Sequence, residues 1–288
     1  MKFIGFIVVI VCTFGGYMLG GGKLAPIIHA APHELLTIMG CAIGAFIIAN
    51  TGHVIKATLS SLGCIIKPEA HDKGSYLELL SVMYMLFKLA RTKGWLALES
   101  HIEDPENSAL FKQFSGFSEN HHALTFVCDY LRIISLGNEN PHEIEALMDE
   151  EIESLSHDKM HPAHAVQTMA DGIPALGIVA AVLGVIKTMG SITEPPEILG
   201  KMIGGALVGT FLGVFLAYGF IGPTAGALKS RAESEILYYR CIKVSMIAFL
   251  QGAAPQVAVE FARKFLPHHV QPGFLELEEK LNELPSPS

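Results

Sequence analysis

The stretch Ile203-Gly204-Gly205-Ala206-Leu207-Val208-Gly209-Thr210-Phe211-Leu212-Gly213-Val214-Phe215-Leu216-Ala217-Tyr218-Gly219-Phe220-Ile221 decides the fold. None of its residues is charged. Its length is close to the ~20 residues an α-helix needs to cross a bilayer. The stretch and its entry carry Gly200, Gly204, Gly205, Gly209 and Gly213, with Gly205, Gly209 and Gly213 four residues apart. Glycine at that spacing bares a stripe of helix backbone and lets a second helix approach closely. The expectation is a membrane helix packed tightly on a partner.

Working outward, three more apolar runs cover residues 3–19, 35–55 and 173–192, the last interrupted by Lys187. With 202–221 they make four predicted membrane helices. The links 20–34 and 193–201 are short, whereas more than a hundred mostly polar residues separate the second run from the third. Composition agrees: half of the 288 residues are hydrophobic and 17% are charged, against roughly 25% charged in ordinary soluble domains. The N-terminal run is too long for a signal-peptide core and no A-x-A cleavage site follows it, so it reads as an uncleaved first helix.

Basic residues orient the chain. The short links hold only Lys23 and Lys201, whereas Lys56, Lys67, Lys73, Lys88, Arg91, Lys93, Arg132, Lys229 and Arg231 fall in the long loop or the tail. Lys and Arg near membrane ends favour the cytoplasm, so both termini and the long loop are expected there. The loop reads as helical. Leu79, Leu80, Met83, Leu86, Phe87 and Ala90 recur at helical spacing before a stop at Lys93-Gly94. After a turn at 138–141, Ile144, Leu147, Ile152 and Leu155 form the apolar stripe of another helix over 142–155, opposite an acidic face. The tail is expected to be helical over 231–266, with a further short helix over 274–284. The fold class is therefore an all-α integral membrane protein with a large helical cytoplasmic domain. Its parts are two membrane helices (1–55), the cytoplasmic domain (56–170), two further membrane helices (171–223) and a cytoplasmic tail (224–288).

Several chemistries are excluded. A net charge of −8 gives no basis for nucleic-acid binding. Cys12, Cys41, Cys64, Cys128 and Cys241 form no CxxC pair, and they read as free thiols in a reducing compartment. His157, His161 and His164 have ligand-like spacing, but Pro162 interrupts them and no fourth ligand is placed, so no metal site and no cofactor are assigned. No P-loop, GxSxG or HExxH is present, so no enzyme activity is expected. The apolar runs also lack an acid: the third has none past Asp171 and the other three have none. Proton-driven transport usually needs an ionisable group in the membrane, so a conducting role requires a partner helix to supply it. Pro174, after Asp171-Gly172, and Pro223, after Gly222, fall at matching depths and read as a hinge pair at the cytoplasmic mouth.

The string Asp171-Gly172-Ile173-Pro174-Ala175-Leu176-Gly177-Ile178-Val179-Ala180-Ala181-Val182-Leu183-Gly184-Val185-Ile186 resembles the third membrane helix of the MotA family of flagellar stator proteins. Val208-Gly209-Thr210-Phe211-Leu212-Gly213, Glu143-Ile144-Glu145-Ala146-Leu147-Met148-Asp149-Glu150-Glu151 and Ala258-Val259-Glu260-Phe261-Ala262-Arg263-Lys264 extend the resemblance, in order, over nearly the whole chain.

The resemblance implies a proton-conducting motor subunit in the bacterial inner membrane. Five such chains would surround a dimer of MotB-like partners, whose membrane aspartate is the missing acid, and the ring would turn the rotor protein FliG. In Arg91-Thr92-Lys93-Gly94-Trp95-Leu96-Ala97-Leu98-Glu99, it implies that Arg91 and Glu99 touch the rotor. It implies functional prolines at Pro174 and Pro223 and an ion path past Pro174, Ala181 and Thr210, whereas the spacing of the glycines itself assigns helix packing to Gly204, Gly205, Gly209 and Gly213. The sodium-driven relatives (PomA) have a threonine where Ala181 stands, so loss of that hydroxyl implies protons. The alternative is an energy transducer of the ExbB or TolQ type, which has three membrane helices and lacks the Arg91–Glu99 segment.

Overall fold

A computed structural model describes residues 2–63, 65 and 71–285, which leaves Cys64 and Lys67 outside the described residues. Among the described residues there is no strand. The helices are α1 (Lys2–Leu19), α2 (Ala25–Ala49), α3 (Gly52–Gly63), α4 (Lys73–Lys93), α5 (Glu99–Glu103), α6 (Ser115–Ser118), α7 (His121–Ser135), α8 (Pro141–Met189), α9 (Pro196–Leu216), α10 (Gly222–Leu250), α11 (Pro255–Phe265) and α12 (Phe274–Asn282). Four are long and apolar enough to cross a membrane: α1, α2, α8, and α9 with its continuation into α10. The chain divides into two compact units, Met1–Pro68 with Lys159–Ser230, and Glu69–Asp158 with Arg231–Ser288.

The structure redraws three boundaries. The acidic helix expected at 142–155 and the membrane run at 173–192 are one helix, α8, of 49 residues, with Pro162 and Pro174 inside it. Pro174 therefore does not open a helix as its neighbours Asp171-Gly172 imply. The helix expected over 231–266 is two: α10 ends at Leu250, Gly252 takes φ +97°, and α11 starts at Pro255. Finally, α2 begins at Ala25, with proline in its first turn, ten residues before the apolar run. Glu34 is therefore inside a candidate membrane helix, which corrects the expectation that these helices carry no carboxylate.

In the first unit α8 and α9 run antiparallel with backbone against backbone. A Cβ added at Gly213 would stand 2.8 Å from Gly177 Cα and 3.1 Å from the Ile173 carbonyl oxygen; one added at Gly184 would stand 2.7 Å from Ala206 Cβ. On another side of α9, Gly205 faces Ala30 of α2 in ordinary contact. Ile38 and Ala42 of α2 are buried with Ile173, Ala180, Val208 and Leu212. Gly204 differs from the packing role expected of it, since a Cβ there would meet nothing within 4 Å. The reason is angular: one residue turns ~100° around a helix, so 204 cannot share the face of 205, 209 and 213. Aromatic rings hold α1 to α9 and to the π-helical turn Ala217–Ile221 that follows it, with Phe14 edge-on to Phe215 at 5.5 Å and Phe6 stacked on Phe220 at 5.6 Å. Many large apolar side chains of α1 and α8 face outward, among them Phe3, Leu19, Ile178, Val182 and Ile186. Contiguous exposure of this kind fits a lipid or protein environment, not water.

In the second unit α4 is buried nearly all round through Tyr76, Leu79, Leu80, Val82, Met83, Leu86 and Phe87. Asp72 caps it, accepting from the Ser75 backbone N–H at 2.8 Å, and Gly94 at φ +81° ends it, donating its N–H to the Ala90 carbonyl at 2.9 Å. The first turns of α8 contribute Ile144, Met148 and Ile152, at intervals of four, whereas Leu147 of the expected stripe is exposed. The acidic face is partly used: Lys243 Nζ pairs with Asp149 Oδ1 at 2.8 Å, and Tyr130 donates to Glu151 Oε2 at 2.7 Å. Burial pushes the Cys128 thiol up to about 12, and the Cys241 thiol is also raised, so both stay protonated and inert.

Two outcomes test these packing arguments. Gly213→Ala should lower the thermal midpoint of the purified protein, by roughly 1–3 kcal/mol of overpacking, whereas Gly204→Ala should leave it in place. Asp72→Ala should cost about 1 kcal/mol, typical of a lost N-cap. Hydrogen bonds from Ser75 hold the Asp72 carboxyl below its ordinary value. Its contribution is thus fully present above the unfolded value of ~3.9 and is lost as pH falls through the lower folded value. A denaturation series should show parent and Asp72→Ala converging only in strong acid.

Candidate functional site

The α8–α9 seam brings two of the sequence-assigned path residues to one level. A Cβ at Gly209 would stand 2.7 Å from Glu34 Oε2, 3.1 Å from the backbone nitrogen of Ala181 and 3.2 Å from Ala180 Cβ. Ala181 of α8 and Gly209 of α9 are thus in backbone contact, and Thr210 is the next residue along α9. Thr58, Thr168 and Thr188 each donate to the carbonyl four residues earlier, at 2.7, 3.0 and 2.9 Å. Thr210 makes no such bond among the described residues, and it is half-buried. Its hydroxyl is therefore available to a water or another chain.

The prolines lie elsewhere on these helices. Pro174 is half-buried within α8, next to Ile173, whose carbonyl faces Gly213. Proline inside a helix removes one backbone hydrogen bond and frees a carbonyl. Pro223 is exposed in the first turn of α10, directly after a π-helical turn at Ala217–Ile221. One π turn inserted into an α-helix is uncommon and concentrates at functional sites. Both positions therefore depart from regular α-helical hydrogen bonding. No signal in the sequence announces the π turn.

In the second unit Arg91 and Glu99 are exposed, on the last turn of α4 and the first residue of α5. A 3-10 turn at Trp95–Leu98 sets the segment between them. Leu98 is buried, and Trp95 packs edge-on against Phe249 at 5.7 Å, with Phe249 stacked on Phe87 at 4.5 Å. Arg91 Nη1 reaches the Gly252 carbonyl at 3.4 Å. Two opposite charges are thereby presented to solvent on a rigid apolar footing. Lys93 and Lys88 add positive charge on the same helix.

His157, His161 and His164 all fall on α8. Sequence reasoning missed Glu34, because His29, His33 and Glu34 dilute the apolar pattern and place these residues in a link. A periodic signal was nevertheless present: Ala30, Glu34, Ile38 and Ala42 are four apart, and proline at position 26 suits a first helical turn.

Residues 3–94 match the family model of the motility protein A N-terminal region, and residues 114–240 match that of the MotA/TolQ/ExbB proton channel family. The chain is 41% identical to motility protein A of Escherichia coli, over 99% of this chain and 96% of that protein. It is 35% identical to the chemotaxis protein LafT of Vibrio parahaemolyticus, over 98% of each. Among solved structures, the MotAB stator complex of Bacillus subtilis matches with a TM-score of 0.73 at 26% identity, covering 92% of this chain and 95% of that one. MotAB of C. jejuni matches in fold with a TM-score of 0.74 at 22% identity and the same coverage. The sequence match spans 98–99% of the chain and the fold match 92%, and the chain belongs to the motility protein A family of flagellar stator subunits.

Proposed function

We propose that this chain conducts protons together with a MotB-like dimer in the bacterial inner membrane and turns the flow into rotation of the rotor protein FliG. Both termini and the second unit are assigned to the cytoplasm, from the distribution of Lys and Arg. Five copies surround the dimer. Each copy offers the partner helix a surface that includes Pro174, Ala181 and Thr210, and the partner's membrane aspartate holds the proton there. Pro174 and Pro223 are the points at which α8 and α10 bend as the proton moves on and off. Arg91 and Glu99 push on charged residues of the rotor. The reading has no enzymatic step and no cofactor.

The observation that carries the proposal is the level of Ala181 and Gly209. Two backbones meet there without a charged side chain from either helix, and the next residue is a threonine whose hydroxyl is free among the described residues. The contact itself is closed, but Ala181 and Thr210 beside it are only half-buried, and α9 offers there one hydroxyl to water or to a partner helix. Dehydrated sodium needs several oxygen ligands (the preference of hard cations), whereas a proton needs one acid and a water chain. Moving one charge across the membrane releases ~2.3 kcal/mol per 100 mV, which is the energy the ring converts. The four candidate membrane helices and the match at 3–94 favour this reading over an ExbB-like or TolQ-like transducer.

Co-expression with a MotB-like partner should give a proton current that vanishes when the partner's membrane aspartate becomes asparagine. Swimming should persist without sodium and stop with a protonophore; sodium-dependent swimming that survives the protonophore would overturn the ion assignment. Thr210→Val should slow the motor with assembly unchanged. At the rotor surface, single neutral substitutions should be mild, since an exposed charge pair is worth ~0–1 kcal/mol. Combining Arg91→Glu with Glu99→Lys should cut swimming speed sharply with the protein still in the membrane. A normal swimming speed in that double variant refutes the rotor contact.

A further inference from the structure

We propose that Glu34 is a proton-holding residue of the conduction path, so that this chain contributes a membrane carboxylate of its own beside that of its partner. The inference rests on the proton-conducting reading above and adds a residue to it. Glu34 lies within α2 between Ala30 and Ile38, on the face turned toward α9. The two helices run parallel, with Ala30 facing Gly205 and Glu34 facing Gly209. The half-buried carboxylate reaches Gly209 at the level of Ala181, one residue along α9 from Thr210.

Three observations separate Glu34 from a residue of a surface link. The first is depth: Glu34 follows Ala25 by nine residues on α2, ~14 Å along a helix. The second is fit. Gly209 has no side chain at the one point where Glu34 Oε2 would collide with it, so the seam accommodates the acid. The third is the absence of a structural partner. No salt bridge or hydrogen bond holds the Glu34 side chain among the described residues. His33 is its titratable neighbour on α2, and Ala180, Ala181 and Gly209 carry no charge. Ionisable groups in membrane segments pair with one another or line ion pathways, and Glu34 lacks the first arrangement.

The step is a simple transfer. The Glu34 carboxylate takes a proton from water on the outer side and becomes a neutral acid. It then releases that proton, through water or directly, to the carboxylate of the partner's aspartate and regains its charge. A carboxylate placed there collects protons when they are scarce, so its removal matters most at alkaline outer pH.

The test uses the full complex co-expressed with its partner in membrane vesicles, with proton uptake divided by the amount of assembled complex. Glu34→Gln should lower uptake per complex by about tenfold or more at alkaline outer pH and flatten its dependence on outer pH. Glu34→Asp keeps an acid and should retain a pH dependence with a displaced midpoint. Glu34→Gln with the parent's uptake and pH profile per complex overturns the proposal. So does a variant that merely assembles less while each complex keeps that profile, which is the signature of a packing role. If Glu34→Gln does not assemble, Glu34→Asp decides, and an unshifted midpoint refutes the idea. The sodium and protonophore controls on the parent test the proton reading itself, so its failure is distinguishable from that of Glu34.

Discussion

The contact on which the first unit depends is the one between the backbones of Gly177 and Gly213, where no side chain on either helix intervenes. In a bilayer, water cannot drive helices together, because lipid tails are as apolar as leucine. Association rests instead on close van der Waals packing, each atom pair being worth ~0.1–0.2 kcal/mol at the right separation. Glycine and alanine at 177, 180, 181, 184, 206, 209 and 213 bring many such pairs within range. The same economy of side chains fixes the level at which Ala181 meets Gly209. Any larger residue on this seam would alter both the packing and the place where function is proposed.

The second unit is held by the opposite means. There α4 is surrounded by large side chains, and the aromatic stack of Phe87 and Phe249 continues to Trp95. Large apolar burial of ~25 cal/mol per Å² is the driving force in water. The surface segment between Arg91 and Glu99 is consequently rigid at its base, through Trp95 and Leu98, while its charges stay in solvent. A force-bearing contact needs that combination, because charge on a mobile loop would yield before transmitting load.

Most of the architecture was legible in the amino-acid sequence because membrane helices obey a length rule and the α4 region obeys a period. Residues 202–221 and 3–19 needed only the absence of charge. Two of the misses share a cause: local signals end helices that tertiary packing continues. Pro174 and Asp171-Gly172 look like a helix start, but α8 runs through them, since neighbouring helices can satisfy the backbone groups a proline frees. His29, His33 and Glu34 look like a link, but α2 includes them. Gly204 was grouped with Gly205 by composition, although helix geometry sets them ~100° apart. The family resemblance supplied the roles of Arg91 and Glu99, which the residues alone present as ordinary surface charges.

Glu34 and Gly209 are best understood as one constraint. A carboxylate in a membrane helix costs up to ~2.5–3.5 kcal/mol on insertion scales when at the centre, and an apolar residue at position 34 would avoid whatever part of that cost its depth carries. A side chain at 209 would fill the space that Glu34 Oε2 occupies. The acid thus requires a glycine opposite, and the same glycine lets the Ala181 backbone of α8 come close. A purely structural contact would be served better by leucine at 34, with more buried apolar area and no desolvated oxygen, whereas glycine at 209 is needed in either case, since a Cβ there would also stand 3.1 Å from the Ala181 backbone nitrogen. The sequence instead keeps the costlier acid at the level of Ala181, beside the threonine whose hydroxyl is not tied to its own helix. Stability given up at the point where a path needs oxygen atoms is the physical ground for reading this level of the seam as its working part.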